Sequence, residues 1–240
     1  MAVRRFNYEF DGVHYYRFSI YSLGNNIQTV YTFVLDDLLI DTAQRFNRDN
    51  IWKVAQEHQI QKILITHYHE DHTGNVGFLM QALPAEAYAH PYTVKILKRG
   101  YKMSPLSKMI SGKVEDASMH PILETDTITT KNYCLQPIYT PGHCEGHYCY
   151  YEKNNGYLFS GDLFVADKIK YFGSDESLLT QIESLKKMLA LDFDALFCSH
   201  NPKVEGGKNV CKINYNFSKI LPEKLPGYIM KEKNRKRFLR

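Results

Sequence analysis

Residues 64–75 read LITHYHEDHTGN. An apolar run ends there, and His67, His69, Glu70, Asp71 and His72 follow within six positions. Imidazoles and carboxylates are the side chains that bind divalent cations and move protons. Ligands this close in the chain cannot all surround one ion. The stretch therefore asks for partners elsewhere.

Working outward, KILIT (62–66) is short, β-rich and apolar without alternation. That pattern predicts a strand covered on both faces. Thr73 to Ala82 reads as a helix ending before Pro84. Upstream, the Asp11-Gly12 pair predicts a hairpin between YEF and VHYYRFSI. TVYTFVLDDLLIDT predicts two strands turning at Asp36-Asp37. Asp49 to His58 predicts a helix capped by Asp49 or Asn50. Downstream, AEAYAH is a strand, and residues 92–111 form a helix broken near Ser104-Pro105. CLQPIYT (134–140) and HYCYYEKNNGYLFSGD (147–162) are strands, the latter a hairpin over Asn154-Asn155-Gly156. Ser177 to Leu191 carries Leu178, Leu179, Ile182, Leu185, Met188 and Leu189 at helical spacing. ALFCSH (195–200) is a last core strand, and a helix is expected between Gly207 and Ile220. Strands first, then alternating strands and helices, give a mixed α/β layout with helices outside sheets. No repeat or low-complexity block interrupts it. One domain over residues 1–230 is the economical reading.

The chain has 240 residues, 44% of them hydrophobic and 23% charged, enough to bury a core. No apolar run is long enough for a transmembrane helix. MAVRRFNYEFDG has no apolar stretch behind its basic residues, so no secretory signal is read and a cytoplasmic location is expected. The five cysteines are odd in number and lack a CxxC pair, which favours reduced thiols. The net charge is +4, but the last ten residues, KEKNRKRFLR, carry +5. The body is near neutral, and residues 231–240 are expected to be a basic tail, either solvated or attracting an anion such as RNA. A second basic stretch holds Lys95, Lys98, Arg99, Lys102, Lys108 and Lys113 with no acid among them.

Four segments share a feature: each places a polar side chain where a strand ends. They are LITHYHEDH, YTPGHCEGH with His143, YLFSGDLF with Asp162, and LFCSHNP with His200. Strand ends are where α/β sheets gather ligands. The set resembles the metallo-β-lactamase superfamily of metal-dependent hydrolases: HxHxDH at 67–72, TPGH at 140–143, SGD at 160–162 and SH at 199–200. The likeness runs over about residues 15–205, and four elements in order make it specific.

This resemblance implies a four-layer αββα sandwich and two divalent metal ions, zinc first, with iron or manganese as alternatives. It implies that His67, His69 and His143 bind one ion, Asp71, His72 and His200 the other, and that Asp162 bridges them. A metal-bound hydroxide would then attack the substrate, with Asp71 orienting it. Asp41 in LLIDT would accept a hydrogen bond from a metal-bound histidine. His14, His58, His90, His120 and His147 read as structural or solvated, Cys144 and Cys198 as packing residues, and Glu70 as facing solvent or lying behind the ligands.

The set argues against some branches. Flavodiiron-type oxidoreductases carry an acid where His69 stands, and lactam-cleaving members lack the bridging acid. The set looks like glyoxalase II, ribonuclease Z and short glyoxalase II-like members. The forty residues after His200 leave little room for glyoxalase II's helical C-terminal domain. Short members include thioester hydrolases and single-strand endoribonucleases. The expected substrate is an anionic ester or thioester metabolite. The alternative is an RNA phosphodiester tracked by residues 92–113 and the tail. No membrane partner is expected.

Overall fold

The computed structural model describes residues 1–165 and 175–202. The expected helix between Gly207 and Ile220, Cys211 and the tail at 231–240 lie outside the described residues.

The first hairpin pairs β1 (Ala2–Phe10) with β2 (Val13–Ser22), turning at Asp11 and Gly12, whose φ angles are +47° and +81°. Positive φ at both central residues suits the right-handed twist of the strands. β1 starts well before the YEF expected from the sequence, because its register follows β2 back to Tyr21. β3 (Asn25–Leu35) and β4 (Leu38–Ile40) continue the antiparallel meander. β5 (Lys62–Leu64), β6 (Glu86–Ala89) and β7 (His120–Pro121) then add in parallel, completing a seven-stranded sheet in sequence order. The second sheet has five strands: β8 (Ile128–Thr129), β9 (Cys134–Tyr139), β10 (Tyr148–Glu152), β11 (Tyr157–Gly161) and β12 (Ala195–Cys198). Its first three pairings are antiparallel, and β11 and β12 run parallel. β7 and β8 are two residues each, too short to carry a periodic signal.

Strand alternation assigns the layers. Leu38, Ile40 and Leu64 face Tyr157, Phe159 and Phe197 across the gap between the sheets. Their neighbours Leu39, Ile63 and Ile65 face the opposite way, onto Ile51, Val54 and Leu79. Those belong to α1 (Arg48–Glu57) and α3 (Val76–Ala82). On the second sheet, Leu158, Leu196 and Cys198 face Leu185 and Met188 of α6 (Leu178–Leu189). The result is helix, sheet, sheet, helix. Every strand between helices is covered on both faces, which is why KILIT shows no polar alternation. At the centre, the Phe197 ring stacks on Phe159 at 4.9 Å and meets Phe33 edge-on at 5.6 Å. Burying one such ring contributes about 1.5–3 kcal/mol.

Three helix expectations need correction. α1 starts at Arg48, after a 3-10 turn at Arg45–Asn47, so Asp49 and Asn50 lie in its first turn and do not cap it. Asn47 stands at the cap position, but its side chain is taken by Asn50 Nδ2 at 3.2 Å. The helix expected from Thr73 splits into α2 (Glu70–Thr73) and α3, broken at Gly74 and Asn75. The cause is tertiary. Asn75 Nδ2 donates to the carbonyls of Thr42 and Gln44, at 2.8 and 2.9 Å. A Cβ on Gly74 would sit 2.4 Å from Arg45 N. Residues 92–111 give α4 (Pro91–Lys98) and α5 (Pro105–Ser111), separated by a longer break than Ser104-Pro105 alone suggested. Gly100, with φ +83°, turns the chain there.

The sandwich opens along one edge. β4 and β5 are parallel, so their C-terminal ends coincide. β9, β11 and β12 likewise point one way, through two antiparallel steps and one parallel pairing. Backbone bonds join the two edges: Tyr148 N–H to Thr66 O at 2.8 Å and Tyr31 N–H to Ser199 O at 2.7 Å. The carboxyl ends of five strands therefore surround one space, where α/β sheets characteristically bind ligands.

Candidate metal centre

Each strand end delivers a ligand-type residue to that space: Asp41 after β4, His67 after β5, His143 after β9, Asp162 after β11 and His200 after β12. His69 caps α2, which carries Asp71 and His72. All seven residues expected from the sequence to bind metal gather here. His72 Nε2 is 3.5 Å from Asp162 Oδ1 and 3.6 Å from Asp71 Oδ1. His200 Nε2 is 3.1 Å from Asp162 Oδ2 and 3.6 Å from Asp71 Oδ2. His143 Nε2 is 3.6 Å from Asp162 Oδ2 and 3.0 Å from His69 Nδ1. The His67 ring lies 4.1 Å from that of His72 and 4.6 Å from that of His69.

The outer nitrogens are all spent, which assigns the tautomers. His72 Nδ1–H donates to Asp41 Oδ2 at 2.8 Å. His200 Nδ1–H donates to the Thr29 carbonyl at 2.6 Å. His143 Nδ1–H donates to Glu176 Oε1 at 2.8 Å, and His69 Nε2–H to Asp175 Oδ2 at 2.9 Å. Thr66 Oγ1–H is given to Asp41 at 2.8 Å, so it accepts from His67 Nδ1–H at 3.0 Å. With those outer contacts made, five imidazoles turn their second nitrogen inward, toward one another and toward Asp71 and Asp162. Three buried inward atoms, His67 Nε2, His72 Nε2 and Asp162 Oδ1, have no hydrogen-bond partner. His143 Nε2 and His69 Nδ1 face each other at 3.0 Å, and with both outer nitrogens donating, their lone pairs need a shared proton or a cation to meet this closely. Imidazoles, carboxylates and orphaned buried polar atoms are the donor set that a divalent cation satisfies, displacing any proton held on the inward nitrogens.

Electrostatics within the cluster divide by neighbour. Burial holds His67 well below the ordinary imidazole range, and His72, His69 and His143 push the same way. Burial also works against a charged His72, but Asp162, Asp71 and Asp41 outweigh it and raise its pKa well above the usual value. His200 follows the same balance and is raised to about 9. Burial would raise Asp162, yet His200 and His72 hold its carboxyl well below the ordinary range. The hydrogen bond from His69 lowers Asp175 to about 2 despite partial burial.

Several supporting groups escaped sequence reading. Asp175 and Glu176 orient His69 and His143 from just before α6, more than thirty positions away in the chain. Nothing in DES distinguishes them from solvated acids. His147 is fully buried; its Nε2 accepts the Asp162 N–H at 3.1 Å, and its Nδ1 side meets Thr140 Oγ1 at 3.0 Å. It holds the Asp162 backbone and supplies no inward nitrogen. Gly161, at φ +50°, is required beside it, since a Cβ would come within 2.7 Å of His147 Nε2. Asp41 and Ala43 also sit at positive φ, +60° and +54°. That strained turn lets Thr42 N–H bond the His72 carbonyl at 2.7 Å, gripping α2. Cys144, read as a packing residue, is buried but places its Sγ among the ligand atoms of His67 and His69. Glu70 is half-buried and accepts from Tyr101 O–H at 3.3 Å. His14, His58, His90 and His120 lie elsewhere: His14 packs on His58, His90 Nδ1 caps α4, and His120 packs on Tyr88.

A cleft of about 420 Å³ adjoins the cluster, lined by Tyr68, His69, Asp71, Tyr101, Lys102 and Asp175. Residues 92–113 thus contribute a pocket wall, but of their six cations only Lys102 reaches this cleft. Among the described residues no helix is long and apolar enough to cross a membrane.

Residues 29–200 match the family model of the metallo-beta-lactamase superfamily. A hydroxyacylglutathione hydrolase of Hydrogenovibrio crunogenus is 30% identical over 71% of this chain and 53% of its own length. The beta-lactamase-like protein 2 homolog of Drosophila melanogaster is 29% identical over 65% of this chain and 49% of its own. The chain spans about half the length of these curated relatives. A metallo-beta-lactamase family protein of Thermus thermophilus superposes with a TM-score of 0.69 at 18% identity, covering 91% of this chain and 82% of that one. A metallo-beta-lactamase from Pontibacter korlensis also superposes at 0.69, with 14% identity, over 91% and 99% of the two chains. With most of the chain under one family model and the same layered fold in its neighbours, this protein belongs to the metallo-beta-lactamase superfamily.

Proposed function

We propose that the chain is a metal-dependent hydrolase that holds two divalent cations, zinc first, with iron or manganese as alternatives. His67, His69 and His143 would hold one. Asp71, His72 and His200 would hold the other, and Asp162 stands between the two sets. The observation that carries this reading is five imidazoles whose outer nitrogens are hydrogen-bonded and whose inner nitrogens converge on one another and on Asp71 and Asp162, those of His67 and His72 with no hydrogen-bond partner. Such cations supply Lewis acidity and lower the pKa of a water toward neutrality. The chain's own part is to position. Asp41, Asp175 and Glu176 hold three rings in register. Asp71, half-buried at the cleft, would accept a hydrogen from a water and aim its lone pair at the scissile carbon. Tyr68 and Tyr101 remain phenols, because burial and the neighbouring Asp175 and Glu70 raise both hydroxyls. Their O–H protons are held by Asp175 and Glu70, at 3.2 and 3.3 Å, so each would turn from its carboxylate to donate to an acyl oxygen.

The substrate class we favour is an anionic ester or thioester. Lys102 at the mouth attracts the anion, and a relative at 30% identity is named for hydrolysis of a hydroxyacyl glutathione. A second reading, phosphodiester cleavage in RNA, is favoured by one observation. Lys95, Lys98, Arg99, Lys102, Lys108 and Lys113 are all exposed, and none is ion-paired to another described residue. A panel of thioesters, esters, phosphodiesters and single-stranded RNA on the zinc-loaded chain separates them. Thioester turnover with no RNA cleavage is expected. RNA cleavage that falls steeply with salt would favour the second reading. His69→Ala should lose cation stoichiometry and turnover together. A variant that kept both would sink the assignment.

A further inference from the structure

We propose that Cys144 is a metal ligand, its Sγ joining His67 and His69 around one cation. This rests on the metal reading above. The Sγ and one imidazole nitrogen from each of His67 and His69 all lie within 4.8 Å of one another. Cys144 is 1% exposed and His67 is 0% exposed. The Nε2 of His67 has no hydrogen-bond partner. Around a tetrahedral zinc, nitrogen and sulfur ligands stand roughly 3.5 Å apart, so a shift of about 1 Å closes the set.

The loop carrying Cys144 is clamped at both ends, which fixes where the thiol points. Gly142, at φ +137°, packs so closely on α6 that a Cβ would lie 2.5 Å from Gln181 N. Its carbonyl accepts the Ser177 N–H at 2.7 Å. Gly146, at φ +76°, packs on Tyr92, and its carbonyl accepts from Thr93 Oγ1 at 3.1 Å. The chain between them passes the cluster with His143 and Cys144 half-buried or buried and Glu145 outside, bonded to Tyr139. Among the described residues no hydrogen bond occupies the Cys144 Sγ, whereas Cys149 and Cys198 each bond through sulfur.

When the sulfur–metal bond forms, the thiol proton leaves to solvent. The cation then gains a negative, polarisable donor beside neutral imidazoles. Such a set holds thiophilic ions more tightly than nitrogen and oxygen ligands alone.

Cobalt(II) is the probe, loaded into the metal-stripped full chain. Histidine and carboxylate ligation gives visible d–d bands, and a thiolate adds a near-ultraviolet sulfur-to-cobalt charge-transfer band. Both are expected in the native chain and in Cys134→Ser. Cys144→Ser should keep the d–d bands and lose the near-ultraviolet band. X-ray absorption on the zinc-loaded native chain needs no variant and should show sulfur at about 2.3 Å, one for every two zinc ions. Cobalt bound without the charge-transfer band, or no sulfur at zinc, overturns the Cys144 assignment and leaves the histidine centre standing. Failure to bind cobalt at all overturns both.

Discussion

Asp41→Asn is the most discriminating single change in this protein. Asp41 is fully buried and accepts from two directions. Its Oδ1 faces Thr66 N–H at 2.9 Å, and its Oδ2 faces His72 Nδ1–H at 2.8 Å. An asparagine fits the same space and tolerates the φ of +60° at least as well. The change is therefore confined to chemistry: one acceptor oxygen becomes an NH2. If the NH2 replaces Oδ1, it meets the Thr66 N–H, a donor that cannot change. If it replaces Oδ2, it meets the His72 Nδ1–H, which can. The imidazole then moves its proton to Nε2 and accepts the new hydrogen bond. The cost reappears inside the cluster, because the neutral ring then keeps its one proton on the nitrogen that faces Asp162, where a cation would bind. Either outcome leaves a buried mismatch worth about 1–3 kcal/mol. Loss of such a supporting contact weakens metal affinity about 10- to 100-fold. Chelator competition with zinc measures the affinity, and urea unfolding of the metal-stripped chain measures the mismatch. Native affinity in a folded Asp41→Asn variant would refute the reasoning that this carboxylate sets the His72 tautomer.

Gly74→Ala tests the break between α2 and α3. Its Cβ would meet backbone atoms of Ala43, Gln44 and Arg45 at 2.4–2.7 Å, so about 1–3 kcal/mol is expected from overpacking, read as a lower urea midpoint; native stability would refute the close approach. Asp36 ties the β3–β4 turn to the second sheet, accepting from Thr130 Oγ1 at 2.7 Å and Asn132 N–H at 2.8 Å. Burial would raise its carboxyl, but those hydrogen bonds prevail and hold it below the usual 3.8. Its contribution is thus present above pH 3.8 and lost as pH falls through the lower folded value. The stability gap between the native chain and Asp36→Asn, about 1 kcal/mol near neutrality, should shrink below pH 3.8, and a gap that widens there would contradict the sign. Lys102→Gln should raise KM for an anionic ester several-fold at low salt with kcat nearly unchanged, since an exposed charge steers but does not touch the reacting atoms. An unchanged KM would move the anion site elsewhere.

Much of the architecture was legible where local signals are strong. The Asp11-Gly12 hairpin, the KILIT strand, the Asn154–Gly156 turn and the α6 periodicity all reflect rules that act within a few residues. So did the strand-end placement of His67, His143, Asp162 and His200, because an apolar run followed at once by a ligand-type side chain is visible in one dimension. The two-residue strands β7 and β8 left no such pattern. The α1 cap is not legible because a 3-10 turn precedes the helix, and the break between α2 and α3 is not legible because Gly74 and Asn75 answer to a loop about thirty positions upstream.

By itself, the sequence determined the ligand types, their order and the helix–strand alternation, since these depend on side-chain identity and short-range periodicity. Only the tertiary structure decided which nitrogen of each histidine turns inward. That choice is made by Asp41, Thr66, Asp175, Glu176 and the Thr29 carbonyl, which reach the rings from distant strands and loops. It also decided that Cys144 lies among the ligands while Cys149 and Cys198 lie in the core. A hydrogen bond fixes a tautomer only at about 3 Å, and no spacing along a chain encodes that distance.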